Sequence, residues 1–280
     1  MIERHAFDAM GTSVELLLDA EPGGDSAAAF ASAEQEFERL EALLSRFRPE
    51  SELSALNRDG RLDAGPDLLG ITELAVAARE RTGGRFDPTV YDALVAAGYD
   101  RSFESLPPDG AALPAAPCGG RVTIDGSRIE LEPGFRLDLC GIAKGYAAEQ
   151  VAMMLATAGP CLVNAGGDIA VRGGSWPVGV EQLSLLLERG GMATSGRDRR
   201  HWLTGGEQRH HLIDPATGEP GESDLVRVTV VASSAVDAEV HAKALFLAGR
   251  EAACREADEL GLPCVLVAEN GTTSLAGGLR

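Results

Sequence analysis

The chain has 280 residues, of which 44% are hydrophobic and 24% charged, a balance typical of a globular protein and not of a disordered one. Its 43 acidic and 25 basic residues give a formal charge of −18. Nonspecific binding to nucleic acid or to an anionic membrane is therefore not expected, because both need a basic face. Only two of the basic residues are lysines, Lys144 and Lys243.

The five cysteines are an odd number and show no CxxC spacing, so neither a disulfide framework nor a structural zinc site is expected. The first residues show no basic and apolar leader pattern and no lipid-attachment cysteine. No apolar run approaches the ~20 residues that a membrane span requires. From these features we expect a cytoplasmic protein with buried thiols.

The first predicted elements are a strand over 12–18 and an amphipathic helix over 26–47, in which apolar residues recur every three or four positions. A second helix is predicted from about Pro66 to the glycine pair at 83–84, since proline favours a helix start and glycine a helix end. The Pro/Gly/Ala-rich stretch near 105–120 predicts an exposed connection between subdomains.

The second half of the chain begins with a hairpin at Asp125-Gly126, a short strand over 136–139 and a helix from after Gly141 to about 158. A further helix is predicted over 235–248, followed by a turn at Asn270-Gly271. Further strands are predicted at 161–164, 169–172, 176–180, 202–203, 210–213, 225–232 and 263–268. Strands interrupted by helices and hairpins indicate an α+β fold with mixed or antiparallel sheets and packed helices.

The stretch from Asp138 to Tyr146 places a carboxylate at a predicted strand end and glycines before a predicted helix. Free amides at a helix N-terminus suit an oligophosphate, and Lys144 would add charge in the first turn. The spacing is not that of a P-loop, and no GxGxxG follows a strand. The alternative is an Asp N-cap followed by an ordinary helix with a solvated lysine.

Three other stretches combine glycine with polar residues. Asn164 to Asp168 holds a glycine pair that allows close approach of a ligand, although a simple glycine bulge would read the same way. His210-His211 follows Thr194-Ser195-Gly196 and precedes Asp214, and a histidine near a carboxylate can act as a base. Residues 84–90 carry an aromatic and an acid, which could equally be core packing.

In this order, these stretches resemble the ApbE family of FAD:protein FMN transferases, and the resemblance covers residues 10–249. Each motif is weak alone, but the ordered set is highly specific. The matching segments are Met10-Gly11-Thr12, Ser45 to Phe47 with Ser51 to Asn57, 84–90, 138–146, Asn164 to Asp168, Thr194-Ser195-Gly196, His210 to Pro215 and the helix at 238–249.

The resemblance implies a two-lobed, single-domain enzyme spanning 1–280. Such an enzyme splits the pyrophosphate of FAD, its substrate, passes FMN to a Ser or Thr hydroxyl in a target motif of an acceptor protein, and releases AMP. It also implies a divalent cation, usually magnesium. The competing hypotheses are a non-catalytic FAD-binding protein and an FAD pyrophosphatase that releases FMN and AMP.

Site residues follow from the resemblance position by position. His211 matches the histidine that the family needs for transfer, and Gly141 stands where the backbone helps to hold the metal. The positions that match FAD contacts are Met10, Phe47, Phe86, Asp87, Asp138, Lys144 and Ile213.

One departure from the family concerns the metal. Glu239 and Lys243 occupy positions where the family has an Asp and a Thr, both metal ligands. Residues four apart share one helix face, and Glu before Lys is the favourable order for an ion pair. A solvated surface pair worth ~0.3–0.5 kcal/mol is the simplest interpretation. We favour the alternative that the Lys243 ammonium takes the metal's place at the reacting centre, held by Glu239.

Overall fold

The computed structural model describes residues 1–20, 24–111 and 113–279. The helices are α1 (Ser26–Leu44), α2 (Glu52–Asp59), α3 (Pro66–Arg81), α4 (Tyr91–Ala96), α5 (Ala143–Leu155), α6 (Ala235–Ala248) and α7 (Arg250–Leu260), with a 3₁₀ turn at Phe103–Ser105. The strands are β1 (Ile2–Ala9), β2 (Thr12–Asp19), β3 (Arg61–Asp63), β4 (Val122–Asp125), β5 (Arg128–Leu131), β6 (Cys161–Ala165), β7 (Asp168–Arg172), β8 (Trp176–Val180), β9 (Leu183–Leu187), β10 (Gly190–Gly196), β11 (His201–Thr204), β12 (Glu207–His210), β13 (Ile213–Asp214), β14 (Glu219–Pro220), β15 (Leu225–Ala232), β16 (Cys264–Ala268) and β17 (Thr273–Ala276).

The main sheet has eight strands in the order β1-β2-β6-β7-β10-β15-β16-β17. Each of its ladders is antiparallel. In β2 the fully buried Val14, Leu16 and Leu18 alternate with more exposed residues, so one face of the strand points into the core. The α+β class with antiparallel sheets and packed helices is confirmed.

Helices cover one face of this sheet. Helix α5 lies against β6 and β7, and α6 lies against β10 and β15. The two helices pack on each other, and α1 packs against α5 and β1. The other face packs against the β8–β9 hairpin, whose Trp176, Val180 and Leu187 are buried with Leu162 and Val171 of the sheet. The layers fix the start of α5, the middle of α6 and the β6–β7 turn close together.

The strand predicted over 136–139 is wrong, because these residues pair with no strand of the described chain. Their backbone groups are satisfied in another way. The amide of Asn57 accepts the N–H of Leu137 at 2.7 Å and donates to its carbonyl at 2.8 Å, and the N–H of Asp138 donates to the carbonyl of Pro88 at 2.8 Å. Leu137 and Leu139 are separated by Asp138, an apolar–polar alternation in sequence that produced the strand-like pattern, although all three residues are buried.

Two predicted boundaries also differ. Helix α1 ends at Leu44, not at 47, because Ser45 is extended and its hydroxyl accepts the N–H of Phe47 at 3.2 Å. The strand predicted over 210–213 is interrupted at positions 211 and 212: β12 ends at His210, and β13 begins at Ile213. The other elements predicted after residue 140, including α6 and the Asn270-Gly271 turn, are present with shifts of a few residues.

The stretch at 105–120 has mostly exposed residues, and its Ala112 lies outside the described residues. Thr89 Oγ1 accepts the N–H groups of Gly119 and Gly120 at 2.9 and 3.2 Å, and Gly110 pairs with the β11–β12 hairpin. The stretch is thus anchored to its neighbours; its role in joining subdomains stays a prediction. No helix among the described residues is long and apolar enough to cross a membrane.

Candidate functional site

A cleft of about 560 Å³ opens beside the start of α5 and the β6–β7 turn, a size within the range of small-molecule sites. Six basic and five acidic residues line it, so its formal charge is +1 in a chain that carries −18. Such a contrast favours an anionic ligand. The predicted site residues that line the cleft are Phe86, Asp87, Asp138, Gly141, Lys144, His211, Ile213 and Lys243.

Three predicted site residues lie outside this lining. Glu239 is buried directly beneath it, where it bonds to Lys144 and Lys243. Met10 packs against the main core and its N–H donates to Glu41 Oε2 at 2.7 Å, two residues from Thr12, which does line the cleft. The ring of Phe47 packs against that of Tyr99, a lining residue, with centroids 5.7 Å apart.

The centre of the cleft is a cluster of four charged residues, Lys144, Asp168, Glu239 and Lys243. The ammonium of Lys144 donates to Asp168 Oδ2 and, at 2.8 Å, to Glu239 Oε1. Lys243 Nζ donates to the same Glu239 oxygen at 3.2 Å. The Glu239 side chain is only 1% exposed, so its charge is held by these partners and not by water.

The pKa values follow from this arrangement. Burial alone would raise the pKa of the Glu239 carboxyl, but the ammonium groups of Lys144 and Lys243 lower it to about 2. Burial opposes the charge of Lys144, but the carboxylates of Asp168 and Glu239 hold its pKa above the usual range. Both side chains are therefore charged at neutral pH, and the solvated-lysine and solvated-pair interpretations are wrong.

Gly145, in the first turn of α5, allows this cluster to form. Its N–H donates to Glu239 Oε2 at 2.9 Å. A Cβ on Gly145 would lie 2.8 Å from the carbonyl oxygen of Ala235 and 3.0 Å from Glu239 Oε2. A glycine after Lys144 is therefore needed for α5 to approach α6 this closely. The N-cap of α5 is Ile142, not an Asp.

The segment from Asn164 to Asp168 forms the β6–β7 turn, not a bulge. Ala165 pairs with Asp168 across the two intervening glycines, and Asn164 Oδ1 accepts the N–H of Gly167 at 2.8 Å. A Cβ on Gly166, whose φ is +68°, would lie 2.1 Å from Thr12 Oγ1. The tight turn places the buried carboxylate of Asp168 against Lys144.

Asp138 lines the cleft, but its carboxylate serves mainly the protein. Its Oδ2 lies 2.7 Å from Arg46 Nε, in an ion pair whose two side chains are 1% and 3% exposed, and its Oδ1 accepts the N–H of Cys140 at 2.8 Å. The Arg46 guanidinium lies 4.3 Å from the ring centroid of Phe47 and 4.8 Å from that of Tyr99. Asp138 therefore supplies the counter-charge for a buried arginine that is surrounded by aromatic rings.

Phe86 and Asp87 also line the cleft and are both buried, and a Cβ on Gly141 would lie 3.3 Å from the Phe86 ring. Asp87 Oδ1 accepts the N–H and the hydroxyl of Thr89 at 2.8 and 2.7 Å, which fixes the loop before α4. The Asp138–Pro88 backbone bond described above joins this loop to the segment that leads into α5. The geometry thus unites two stretches that the sequence separates by about 50 residues.

His211 lies at the break between β12 and β13, where the chain leaves the hairpin and passes along the cleft. Its Nδ1 is buried and has no hydrogen-bond partner in the part of the chain that the structure describes. Burial, followed by the nearby charges of Lys243 and Arg200, lowers the pKa of His211 to about 3. The ring is thus neutral at pH 7, with one ring nitrogen unprotonated. Ile213 is buried two residues on, against Trp202 and Tyr99.

The residues at the implied magnesium position do not fit a divalent cation. Both oxygens of Glu239 are used by Lys144, Lys243 and the Gly145 N–H, and an ammonium cannot act as a ligand. Within residues 1–20, 24–111 and 113–279, no group of three or more His, Cys, Asp or Glu side chains is arranged to hold a metal. A Cβ on Gly141 would lie 3.2 Å from Lys243 Cε. The side chain of Lys243 therefore occupies the space next to Gly141, where the resemblance implies a metal ion.

Asp168 and Arg200 are among the lining residues that the sequence interpretation did not identify as site residues. Asp168 belongs to a segment that was singled out, but its bond to Lys144 depends on the turn geometry. Arg200 donates to the carbonyl of Gly11 at 2.7 Å and joins the loop after β10 to the β1–β2 turn. No spacing in the sequence signals a contact between residues so far apart.

A family model described as the ApbE family matches residues 10–266, and the chain belongs to this family. An FAD:protein FMN transferase of Haemophilus influenzae is 27% identical, over 87% of this chain and 81% of that protein. One of Vibrio cholerae is 26% identical, over 92% and 85% respectively.

Solved structures agree on the fold. The ApbE protein of Thermotoga maritima superimposes with a TM-score of 0.88 and 24% identity, covering 99% of this chain and 97% of that one. The flavin transferase ApbE of Vibrio cholerae gives a TM-score of 0.83 at 24% identity, covering 99% and 98%. At this level of identity the likeness concerns the fold.

Proposed function

We propose that this chain is an FAD:protein FMN transferase whose active site is the cleft described above. One observation carries the proposal: the neutral ring of His211, with a buried and unpartnered Nδ1, lines the same cleft as the ammonium groups of Lys144 and Lys243. A proton acceptor and cationic groups are what phosphoryl transfer from a pyrophosphate requires. Curated relatives that match over most of the chain have this activity in their names.

The reaction follows from these groups. The hydroxyl oxygen of a Ser or Thr in the acceptor protein attacks the phosphorus of the FMN half of FAD. A new P–O bond forms, the bond from this phosphorus to the bridging oxygen breaks, and AMP leaves with that oxygen. The hydroxyl proton passes to a ring nitrogen of His211. The negative pyrophosphate, once bound, raises the proton affinity of this histidine.

The cationic side chains act on charge that develops during transfer. Lys144 and Lys243 line the cleft and their positions are fixed by Glu239, so no reorganisation is needed as charge moves onto the phosphoryl oxygens and the departing AMP. Phe86 and Ile213 offer apolar surface for the flavin ring, while Asp87 fixes the loop that carries Phe86. Phe47 packs on Tyr99, which lines the cleft, and Met10 lies two residues from Thr12, another lining residue.

The experiment is incubation of the purified chain with FAD and a peptide that carries a Ser/Thr flavinylation motif, analysed by intact mass. The expected result is a peptide heavier by one FMN and an equal amount of AMP. AMP and free FMN without a modified peptide would identify an FAD pyrophosphatase, and bound but intact FAD would identify a flavin-binding protein. A peptide with Ala in place of the target residue is the control. A cytoplasmic location and the identity of the acceptor stay predictions.

A further inference from the structure

Lys243 is held inside the site and not on the surface. Its side chain is 16% exposed, and its Nζ donates to Glu239 Oε1 at 3.2 Å across one turn of α6. A Cβ on Gly141 would lie 3.2 Å from Lys243 Cε. The lysine chain therefore runs from α6 past the backbone of Gly141, in the segment that leads into α5, and into the cleft.

The charges around Lys243 are balanced without a metal ion. Lys144 and Lys243 contribute two positive charges, and Asp168 and Glu239 contribute two negative ones, all four in one connected cluster. Removal of the Lys243 ammonium would leave an excess of buried negative charge. A divalent cation added to the present cluster would instead face an ammonium across the shared Glu239 oxygen, with no free carboxylate oxygen on that side chain.

The Glu239 carboxylate uses only part of the hydrogen-bonding capacity of Lys243. One carboxylate serves two ammonium groups through Oε1 and the Gly145 N–H through Oε2. A lysine ammonium has three donors, and Glu239 accepts one of those of Lys243. Because Lys243 lines the cleft, its other donors are available to a phosphate oxygen of a bound ligand.

We propose, on the basis of the proposed function, that the Lys243 ammonium replaces the divalent cation and binds the FAD pyrophosphate directly. FMN transfer by this chain therefore needs no divalent metal ion. A single charge on a tethered group binds the pyrophosphate less strongly than a dication does, but it is always in place and is independent of metal supply.

Two substitutions separate the charge of Lys243 from the ligands that a metal needs. Lys243→Met removes the ammonium and keeps the length of the chain without adding a ligand. Lys243→Thr also removes the ammonium, but it adds a hydroxyl oxygen one helical turn from Glu239, whose Oε1 then keeps Lys144 as its only ammonium partner. Mn²⁺ binding is titrated by electron paramagnetic resonance in the wild type and both variants, with and without FAD. FMN transfer is then measured in EDTA and in excess Mg²⁺, and thermal unfolding checks that each variant is folded.

The expected result has three parts. The wild type binds no Mn²⁺ saturably, and its transfer rate in EDTA and in Mg²⁺ differs by less than about twofold. Lys243→Met loses about 100-fold or more in transfer rate under both conditions, since a charge that acts on the transition state is gone. Lys243→Thr is equally slow in EDTA, gains one saturable Mn²⁺ site and recovers activity with Mg²⁺.

Other outcomes overturn the proposal. They are a saturable Mn²⁺ site in the wild type, loss of wild-type transfer in EDTA with recovery in Mg²⁺, wild-type activity of Lys243→Met in EDTA, or failure of Lys243→Thr to bind Mn²⁺. The EDTA comparison uses the wild type alone and stands even if a variant does not fold. If no preparation transfers FMN under any condition, the proposed function fails, and the Mn²⁺ titrations still decide whether the ammonium stands in a cation position.

Discussion

The N–H of Gly145 donates to Glu239 Oε2 at 2.9 Å and thereby ties the first turn of α5 to the middle of α6. The bond joins the two helices that carry Lys144 and Lys243. It also supplies a hydrogen bond to a carboxylate that is almost completely buried. Backbone geometry and the charge arrangement of the site thus depend on one glycine.

Replacement of Gly145 by Ala should destabilise the protein by about 1–3 kcal/mol, although Ala is the better helix former, because the new methyl group meets Ala235 and Glu239. Gly70→Ala in α3 is the matched control. Its Cβ would lie 3.9 Å from the Tyr146 hydroxyl, an ordinary contact, so helix propensity should stabilise this variant by up to about 1 kcal/mol. Urea unfolding measures both, and two changes of the same sign would contradict the close approach at Gly145.

Asp138→Ala should destabilise the protein strongly, by about 3–5 kcal/mol, because it leaves the Arg46 guanidinium buried without a counter-charge. Asp63→Ala is the control: it breaks the exposed ion pair with Arg128, in which the side chains are 51% and 66% exposed, and should change the stability far less. Denaturant unfolding compares the two. An effect at Asp138 no larger than at Asp63 would show that this carboxylate does not stabilise the buried guanidinium of Arg46.

Local pattern identified most of the fold. The alternation in β2, the three- and four-residue spacing in α1 and the Asp125-Gly126 hairpin turn are each decided by neighbours in sequence, and all are present. Elements that depend on distant partners were harder to find. The strand predicted over 136–139 has the right alternation, but its hydrogen bonds go to the side chain of Asn57. Sequence periodicity cannot distinguish a strand from a segment satisfied in this way.

In the site as well, contacts between sequence neighbours could be predicted and contacts between distant residues could not. The helical spacing of Glu239 and Lys243 predicted their contact, which is present at 3.2 Å. The bond between Lys144 and the same carboxylate crosses 95 residues, and the one to Asp168 crosses 24, so neither follows from any local rule. Glu239 and Lys243 belong to a fixed cluster and are not a solvated pair because the packed layers bury them, and this burial does not follow from local sequence either.

Acid should destabilise the protein through its buried histidines. Burial lowers the pKa of His210 to about 4, below the ordinary value of 6.5 that holds in the unfolded chain. The unfolded chain therefore binds the proton first, and the stabilisation present above pH 6.5 is lost as the pH falls toward 4. Between pH 7 and 5 the loss from His210 alone is about 2 kcal/mol.

The measurement is the free energy of unfolding at several pH values between 7 and 5, in the wild type and in His210→Gln. The variant should show the shallower dependence, because Gln does not titrate. His201→Gln is the control, since His201 is exposed on β11. Parallel curves for the wild type and His210→Gln would show that His210 does not bind its proton less readily when folded.

His211→Ala should lower FMN transfer by about 10²–10⁴-fold, the usual contribution of a positioned acid–base group, while FAD affinity stays within a few-fold. The distinction follows from the role of the residue: its ring accepts a proton during transfer, whereas the contacts that hold the pyrophosphate are assigned to Lys144 and Lys243. Single-turnover transfer and fluorescence titration of FAD measure the two effects, with His201→Ala as the matched control. Transfer near the wild-type rate in His211→Ala would make the histidine a structural residue, and a parallel loss of FAD affinity would assign it to ground-state binding.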